Sequence, residues 1–318
     1  MLKQLAVIIS FSFFIVAFII ILTASSTDEQ ADQQNSSSFN PHYAITPVPI
    51  PDNITFAGEE VPIGNFDVFE SLDREILVNT YWQSQTLLLI KKAHRYFPLI
   101  EPILKDAGVP DDLKYLAVAE SGLANVVSPA RAEGFWQFLE GTARDYELEV
   151  NNEVDERYHV EKATQAAAQF LKESYQKYGT WTMAAASYNM GRRNISRQIE
   201  RQKSGNYFDL VLGEETGRYV YRLIALKLIM EKPDNYGFYI NGQQKYQTIP
   251  HTLVDVDTTI SNLADFAHQM GINYKVLKEL NPWLRDDKLT NKTGKKYQIK
   301  IADTTIRTVV PDTVFYKN

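Results

Sequence analysis

The chain has 318 residues, 44% of them hydrophobic and 23% charged, so it is long enough for a substantial core and one or two globular domains. Its 33 Lys and Arg residues against 39 Asp and Glu residues give a net charge of −6, which argues against a dedicated nucleic-acid binder because such proteins present a basic face. The sequence contains no cysteine, which excludes disulfide bonds, thiolate catalysis, Cys-ligated metal centres and a lipidated cysteine.

The first segment, residues 1–26, has the character of an export signal or a membrane anchor. Lys3 precedes a charge-free apolar run, Leu5–Leu22, that is long for a signal-peptide core and about the minimum for a bilayer span. Small residues that a signal peptidase could accept follow it, so a cleaved signal and a retained anchor both stay open. The lone Lys before the run places the bulk of the chain outside the cytoplasm.

Residues 27–65 are predicted to be a disordered acidic linker. The composition there changes to Ser, Gln, Asn, Asp and Pro, and no Lys or Arg occurs between Lys3 and Arg74. Such a segment has too few apolar side chains to form a core and is typical of an extended tether.

Helical patterns dominate residues 66–238, which are predicted to form the main domain. Apolar residues recur with helical spacing over Asp73–Tyr96, and Pro98 and Pro102 are expected to interrupt the chain after it. Further helices, bounded by capping residues, glycines or prolines, are predicted at Asp111–Gly122, Ala163–Tyr178, Trp181–Met190 and Arg218–Glu231.

Residues 248–304 have a different texture and are predicted to form a second, small domain. Strand patterns occur at Leu253–Val256 and Lys296–Ile301, and two short helical patterns lie between them at Ser261–Met270 and Tyr274–Leu280. This order predicts a compact β-α-α-β unit, so the fold class of the whole chain is mainly α with a small mixed domain at its end.

The residue with the clearest chemical signal is Glu120. In the helix that begins at Asp111, the apolar stripe runs through Leu113, Leu116 and Ala117, and the next step of helical spacing reaches Glu120. Burial there would raise the pKa of the carboxyl and keep it protonated near neutral pH, as a general acid requires. A buried Glu that pairs with an Arg or Tyr only for packing remains the alternative.

Four blocks of sequence, in a fixed order, carry a family resemblance. They are Glu120-Ser121, Gly134-Phe135-Trp136-Gln137, Ser187-Tyr188-Asn189 and Glu215-Thr216-Gly217-Arg218-Tyr219-Val220. Over roughly Val109–Lys232 the chain resembles the soluble lytic transglycosylases, in particular their membrane-bound D-type branch. The resemblance implies a goose-type-lysozyme-like helical catalytic domain that cleaves bacterial peptidoglycan, and an exported, periplasmic, membrane-associated protein.

The resemblance also implies a mechanism with one carboxylate. Glycosidases normally use two carboxylates, and no second one is obvious in the four blocks. Glu120 would protonate the leaving oxygen and then act as base, while the C6 hydroxyl of the substrate attacks C1 and produces a 1,6-anhydromuramoyl end. Of the neighbouring acidic residues, Asp111 and Asp112 are interpreted as helix-start residues, and Glu133 and Glu140 as solvated surface charges.

The family blocks predict which side chains bind substrate. The predicted set is Ser121, Ser128, Gly134, Gln137, Tyr188, Asn189 and Tyr219. Tyr219 is expected to orient the Glu120 carboxyl, with a plain core aromatic as the alternative; for Ser128 the alternative is a turn former. Trp136 is expected to reach a sugar face and Trp181 to lie in the core.

The chain departs from the family pattern at a few positions. Phe135 and Ser187 replace the usual Leu and Ala, and Arg192 and Arg193 stand where Gly-Pro often follows the tyrosine block. The first two are interpreted as cleft-lining positions, and the arginines as residues that change one end of the cleft. These departures affect the expected fit of the substrate rather than the reaction.

The small C-terminal unit resembles a LysM module, a binder of glycans that contain N-acetylglucosamine. The resemblance rests on the segments Ile260–Ala264 and Leu280–Leu284, while the usual Gly-Asp-Thr opening has become Val256-Asp257-Thr258. A glycan anchor, a diverged module that packs on the catalytic domain and an unrelated small fold all remain open.

The expected partners are peptidoglycan glycan strands and, through the N-terminal segment, a membrane. The five histidines are scattered without metal-ligand spacing and no phosphate-binding loop follows a strand, so no metal, no cofactor and no nucleic acid is expected. The chain is expected to act as a monomer. A hydrolytic muramidase on the same fold and a non-catalytic peptidoglycan-binding protein are the alternatives.

Overall fold

The computed structural model describes residues 46–303. The predicted signal or anchor at residues 1–26 and most of the predicted linker therefore lie outside the described residues. From Val48 onward the described chain belongs to one unit.

The predicted linker does not extend to residue 65. Strands β1 (Thr55–Phe56) and β2 (Glu59–Glu60) pair antiparallel, and the flanking side chains of Ile54 and Val61 are buried in the main core together with Phe56. The prediction was wrong for this part because it weighed the overall polar composition, whereas a few apolar residues are enough to attach a short hairpin.

Helices form the rest of the main domain. They are α1 (Phe66–Tyr81), α2 (Gln83–Asp106), α3 (Tyr115–Ser121), α4 (Glu140–Asp145), α5 (Val160–Tyr178), α6 (Trp181–Met190), α7 (Arg192–Gln202) and α8 (Glu214–Glu231). Short 3-10 turns lie at Asp111–Lys114, Glu156–Tyr158, Tyr207–Asp209, Pro233–Tyr236 and Gly242–Gln244. The predicted helices that became α5, α6 and α8 are confirmed, and Thr180 caps α6 by accepting from the Met183 amide.

Helix α2 is longer than predicted because it continues through both prolines. A break at Trp82 separates α1 from α2, and α2 then runs to Asp106 with Pro98 and Pro102 inside it. Both prolines lie on the exposed side of the helix, whereas Ile100 and Leu104 on the opposite side are fully buried. Packing of that apolar side keeps the helix intact.

Helix α8 lies at the centre of the main core. It contacts α1, α3 and α6, and its buried side chains include Tyr219, Val220, Leu223 and Ile224. Burial on several sides is what the dense apolar pattern of this helix predicts. Both α1 and α3 therefore pack against α8, which positions them relative to each other.

Residues 251–302 form the predicted β-α-α-β unit. Strands β3 (His251–Val256) and β4 (Tyr297–Ala302) pair antiparallel with His251 opposite Ala302, and helices α9 (Leu263–Gln269) and α10 (Tyr274–Leu280) lie between them in sequence. Leu263, Leu277 and Ile299 are fully buried in a separate small core. The mainly α fold class with a small C-terminal sheet is confirmed.

The small domain is fixed to one loop of the main domain. Leu284 forms a β-bridge with Val154, the Asp155 amide donates to the Trp283 carbonyl at 2.9 Å, and the Arg285 amide donates to the Glu153 carbonyl at 2.8 Å. The Val154 side chain is buried in the core of the small domain rather than in the main core. Backbone pairing and shared burial together make this a defined junction, not a loose linkage.

Over residues 46–303 no helix is long and apolar enough to cross a bilayer.

Candidate functional site

An open cleft in the main domain brings together residues from α3, the loop 128–139, α6 and α8. Its lining includes Glu120, Ser128, Gln137, Tyr188, Asn189 and Glu215. Five of these six belong to the set predicted from the sequence, and Glu215 is an addition. Residues that are far apart in the chain therefore converge on one concave surface, as a binding site requires.

Glu120 is placed in the cleft by the end of a short helix. The turn Asp111–Lys114 leads into α3, which stops at Gly122, where the backbone turns left-handed with φ of 60°. The Lys92 ammonium donates to the Gly122 carbonyl at 2.9 Å and so holds this end of α3 against α2. The carboxyl thus sits at a fixed helix terminus, where its position is defined by both helices.

The environment of Glu120 favours the protonated carboxyl near neutral pH. Burial raises the pKa of Glu120 to about 7, against a hydrogen bond from Tyr219 that lowers it. The charge of Glu215 raises the pKa further and the charge of Arg222 lowers it. A carboxyl that titrates near pH 7 can both give and take a proton under physiological conditions.

Tyr219 is the hydrogen-bond partner of this carboxyl. Its hydroxyl donates to Glu120 Oε1 at 2.6 Å, and its ring is buried on α8. The residue is therefore a core aromatic and an orienting group at once, so the two alternatives for it were not exclusive. The cleft-facing neighbour Tyr188 uses its hydroxyl differently, donating to the Trp136 carbonyl at 2.6 Å.

Ser128 and Gln137 are tied to the loop that forms one wall of the cleft. Ser128 Oγ accepts the Ala132 amide at 2.9 Å, which closes a turn. The Gln137 amide nitrogen donates to the Gly134 carbonyl at 2.8 Å and to the Val126 carbonyl at 3.0 Å. Both side chains keep acceptor or donor atoms for a ligand, since only part of each is used by the loop.

Asn189 and Glu215 join the end of α6 to the start of α8. The Asn189 amide donates to Glu215 Oε1 at 3.3 Å and its oxygen accepts the Thr216 hydroxyl at 2.7 Å. Glu215 stands at the start of one of the family blocks, but the sequence alone assigns it no role. The signal was the carboxylate that opens the block, and only the fold brings it to the same cleft as Glu120.

Ser121 and Gly134 are predicted site residues that do not line the cleft. Ser121 Oγ donates to the Ala117 carbonyl at 3.0 Å within its own helix. Gly134 has φ of 81°, and a Cβ built on it would lie 1.9 Å from the Arg157 carbonyl oxygen. The close approach that requires glycine here is thus made to protein backbone behind the cleft wall.

Several interpretations of side-chain exposure were wrong. Trp136 is fully buried, with its indole N–H donating to Thr164 Oγ1 at 2.9 Å, whereas Trp181 is partly exposed. Glu133 is not a solvated charge: it accepts the Tyr158 hydroxyl at 2.6 Å and is mostly buried. A motif position does not reveal which of its residues faces the ligand, because that depends on how the loop packs.

Two of the departures from the family pattern, Phe135 and Ser187, do not line the cleft as interpreted. Phe135 and Ser187 are buried, and the Ser187 hydroxyl donates to the Ala184 carbonyl of its own helix. Arg192 stacks over the ring of Phe170, which itself lines the cleft. Arg192 therefore contacts a cleft residue, as its interpretation at one end of the cleft suggested.

A second cavity lies at the junction with the small domain, but its chemistry differs. Glu161 lines it, and although burial opposes ionisation, His159 and Lys300 hold the pKa of this carboxyl at about 2. A carboxylate that is permanently charged and paired cannot serve as an acid near neutral pH.

In the described part of the chain no group of His, Cys, Asp or Glu is arranged to hold a metal ion.

Comparison with known proteins gives matches for both domains. Residues 98–211 match the family model described as the transglycosylase SLT domain, and residues 252–305 match the soluble lytic transglycosylase C-terminal LysM-like domain. Two curated relatives are both named membrane-bound lytic murein transglycosylase D, from Escherichia coli K12 and from Escherichia coli O6:H1. Each is 26% identical over 243 residues, which cover 74% of this chain and 52% of the relative. The chain spans about half the length of the curated relatives it matches.

Proposed function

Because this chain carries an SLT transglycosylase domain joined to a LysM-like domain of the soluble lytic transglycosylases, we propose that it is a peptidoglycan lytic transglycosylase. The bond cleaved would be the β-1,4 bond between N-acetylmuramic acid and N-acetylglucosamine, and the product a 1,6-anhydromuramoyl end. The single observation that carries the proposal is Glu120, a carboxyl with a raised pKa held by Tyr219 in an open cleft.

The proposed reaction needs one protein carboxyl. Protonated Glu120 gives its proton to the glycosidic oxygen as the bond from C1 to that oxygen breaks, through an oxocarbenium-like state that the acetamido group of the substrate assists. The resulting carboxylate then takes the proton of the C6 hydroxyl as O6 bonds to C1. No water is consumed, and Glu120 ends the cycle protonated, as it began.

Glu215 supports a second candidate, a hydrolytic muramidase. It is an exposed carboxylate that lines the same cleft and interacts electrostatically with Glu120. An inverting glycosidase uses such a second carboxylate as the base that activates water. Against this role, Glu215 is engaged by the Asn189 amide at 3.3 Å.

We expect the purified full-length protein to release muropeptides with 1,6-anhydro ends from isolated sacculi, as read by mass spectrometry. Reducing ends, one water heavier, would instead assign the protein to the hydrolases. The Glu215→Gln variant distinguishes the two further, because loss of that carboxylate would stop a hydrolase that depends on it but leave anhydro products in place. Sacculi that are bound without any release would identify a binding protein.

Replacing Tyr219 by Phe is expected to change the pH dependence of turnover as well as its rate. Without the hydroxyl, the pKa of Glu120 rises, so the limb on which activity falls with increasing pH moves to higher pH. We also expect the maximal rate to fall roughly 10-fold, because the carboxyl is no longer oriented.

The matched control for this variant is Tyr221→Phe, which removes a hydroxyl from the same helix at a ring packed on Tyr207 and Phe208. Its pH profile should coincide with that of the parent protein. An unchanged profile in Tyr219→Phe would contradict the orienting role.

The LysM-like domain is proposed to stabilise the catalytic domain in addition to any contact with glycan. Lys295 and Tyr297 bind Glu149, Lys300 binds Glu161, and the Arg285 guanidinium lies 4.0 Å from the centre of the Tyr158 ring. These contacts support a module packed against its neighbour rather than one that moves freely on a tether.

The chain is also proposed to be exported and membrane-associated. Support comes from the charge-free run Leu5–Leu22 and from the curated relatives, whose names describe them as membrane-bound. An N-terminal anchor would keep the cleft close to the membrane while the linker sets its reach.

A further inference from the structure

A buried carboxylate on α1 joins this helix to α8. Glu75 is 1% exposed, and the Arg218 Nε donates to its Oε1 at 2.6 Å. The Arg222 Nε lies 3.5 Å from its other oxygen. Glu75 precedes residues 98–211, which match the SLT domain, so the matched segment does not include it.

The two arginines stand on the helix that also holds the proposed acid. Arg218 and Arg222 are one turn apart and face α1, while Tyr219 lies between them in sequence and points toward α3, where it binds Glu120. Glu75 therefore accepts a hydrogen bond from Arg218 and forms an ion pair with Arg222, and these charged contacts join α1 to one face of α8.

We propose that Glu75 is a positioning residue of the cleft: by pairing with Arg218 and Arg222, it sets how much positive charge α8 presents to Glu120. This inference rests on the proposed function, because it takes Glu120 as the acid. Glu75 does not line the cleft and acts only through α8.

The groups around Glu120 determine in which direction its pKa would change. From α8, Tyr219 donates a hydrogen bond to the carboxyl, Glu215 repels its ionised form and Arg222 attracts it, and from α6 the half-buried Tyr188 faces it. Arg222 is the cation among these groups, so its charge favours the ionised form of Glu120. Its influence on Glu120 depends on how fully another carboxylate neutralises it.

The charges around Glu75 determine that neutralisation. On the same helix, Arg74 Nη1 lies 3.8 Å from Glu75 Oε1, and the Arg74 side chain is half exposed. Arg218 and Arg222 approach Glu75 from α8. Tyr207 in the turn Tyr207–Asp209 is also close enough to interact with the Glu75 charge. Removing the negative charge of Glu75 leaves Arg222 less neutralised. The pKa of Glu120 would then fall, whereas removing Arg222 would let it rise.

The experiment is a carbon-13 carboxyl NMR titration of the full chain labelled at glutamate, with the Glu120 signal assigned from the Glu120→Gln variant. In Glu75→Gln we expect the Glu120 pKa to fall by about half a pH unit, and in Arg222→Gln to rise by a similar amount, each a ~3-fold change in the protonated-to-ionised ratio. Arg197→Gln, at an exposed arginine of α7, is the matched control and should leave the titration unchanged.

The alkaline limb of sacculus turnover should move with the titration in each variant. Shifts of Glu120 in a protein without turnover would refute the proposed function and leave the role of Glu75 standing. A Glu120 pKa that does not move in folded Glu75→Gln, or that moves in the same direction in both variants, would overturn the inference. If Glu75→Gln does not fold, an unchanged Glu120 pKa in Arg222→Gln, whose side chain is 29% exposed, would overturn the inference, because Arg222 would then have no influence for Glu75 to set.

Discussion

Replacing Glu120 by Gln is expected to lower the rate of glycan cleavage by about 10²- to 10⁴-fold, the range that general acid–base catalysis contributes. The amide keeps the size of the carboxyl but has no proton to give to the leaving oxygen. It still accepts the hydrogen bond from Tyr219, which joins the two side chains at 2.6 Å. Binding of sacculi should therefore be retained while turnover is lost, as measured by release of soluble muropeptides.

The same variant should not be destabilised above neutral pH. Because burial raises the folded-state pKa of Glu120 to about 7, above the value of an unfolded chain, ionising this group costs stability as the pH rises through that pKa. Gln removes this cost, so melting of Glu120→Gln at pH 8 should occur no lower than that of the parent protein. A rate within a few-fold of the parent, or a clear loss of thermal stability, would contradict the assignment of Glu120.

Much of this site could be predicted from the sequence because its signals are local. Helical spacing placed Glu120 on the buried stripe with Leu113 and Leu116, and Gly122 marked the end of that helix. The order of four short blocks then indicated which distant segments meet. Spacing and motif order are sufficient when a single helix end carries the key side chain.

Other features of the fold and the site could not be predicted because they depend on packing between segments far apart in the chain. In the sequence, Glu75 is indistinguishable from the other acidic residues of an amphipathic helix. Its pairing with Arg218 arises only because α1 packs against α8. In the same way, the buried stripe of α2 rather than its prolines decided where that helix ends. Tertiary contacts overrode the local signal at each of these places.

The junction between the two domains could not be predicted because neither partner is unusual alone. The loop that contains Glu153 and Val154 is polar and short, and its order comes from pairing with Leu284 and Arg285. The same loop leads to Arg157, whose buried guanidinium contacts the carbonyls of Arg131 and Phe138 in the cleft wall. A continuous set of contacts thus connects the small domain with the wall that carries Gln137.

Replacing Gly134 by Ala is expected to be the most damaging single substitution for stability in this wall, with a loss of about 3 kcal/mol or more in the free energy of unfolding. The added Cβ would lie 1.9 Å from the Arg157 carbonyl oxygen, and the backbone there is left-handed with φ of 81°. Arg157 cannot yield easily because its guanidinium is held by Asp155 at 2.6 Å and 2.9 Å.

The matched control is Gly141→Ala in α4, where a Cβ meets nothing within 4 Å. Alanine at that helical position should stabilise the protein by about 0.5–1 kcal/mol, so the two glycine variants are expected to move the urea midpoint in opposite directions. Gly134→Ala should also weaken turnover at temperatures where it stays folded, because the Gly134 carbonyl anchors the Gln137 amide at 2.8 Å. Equal midpoints for the two variants would mean that the wall is more compliant than its close backbone contact implies.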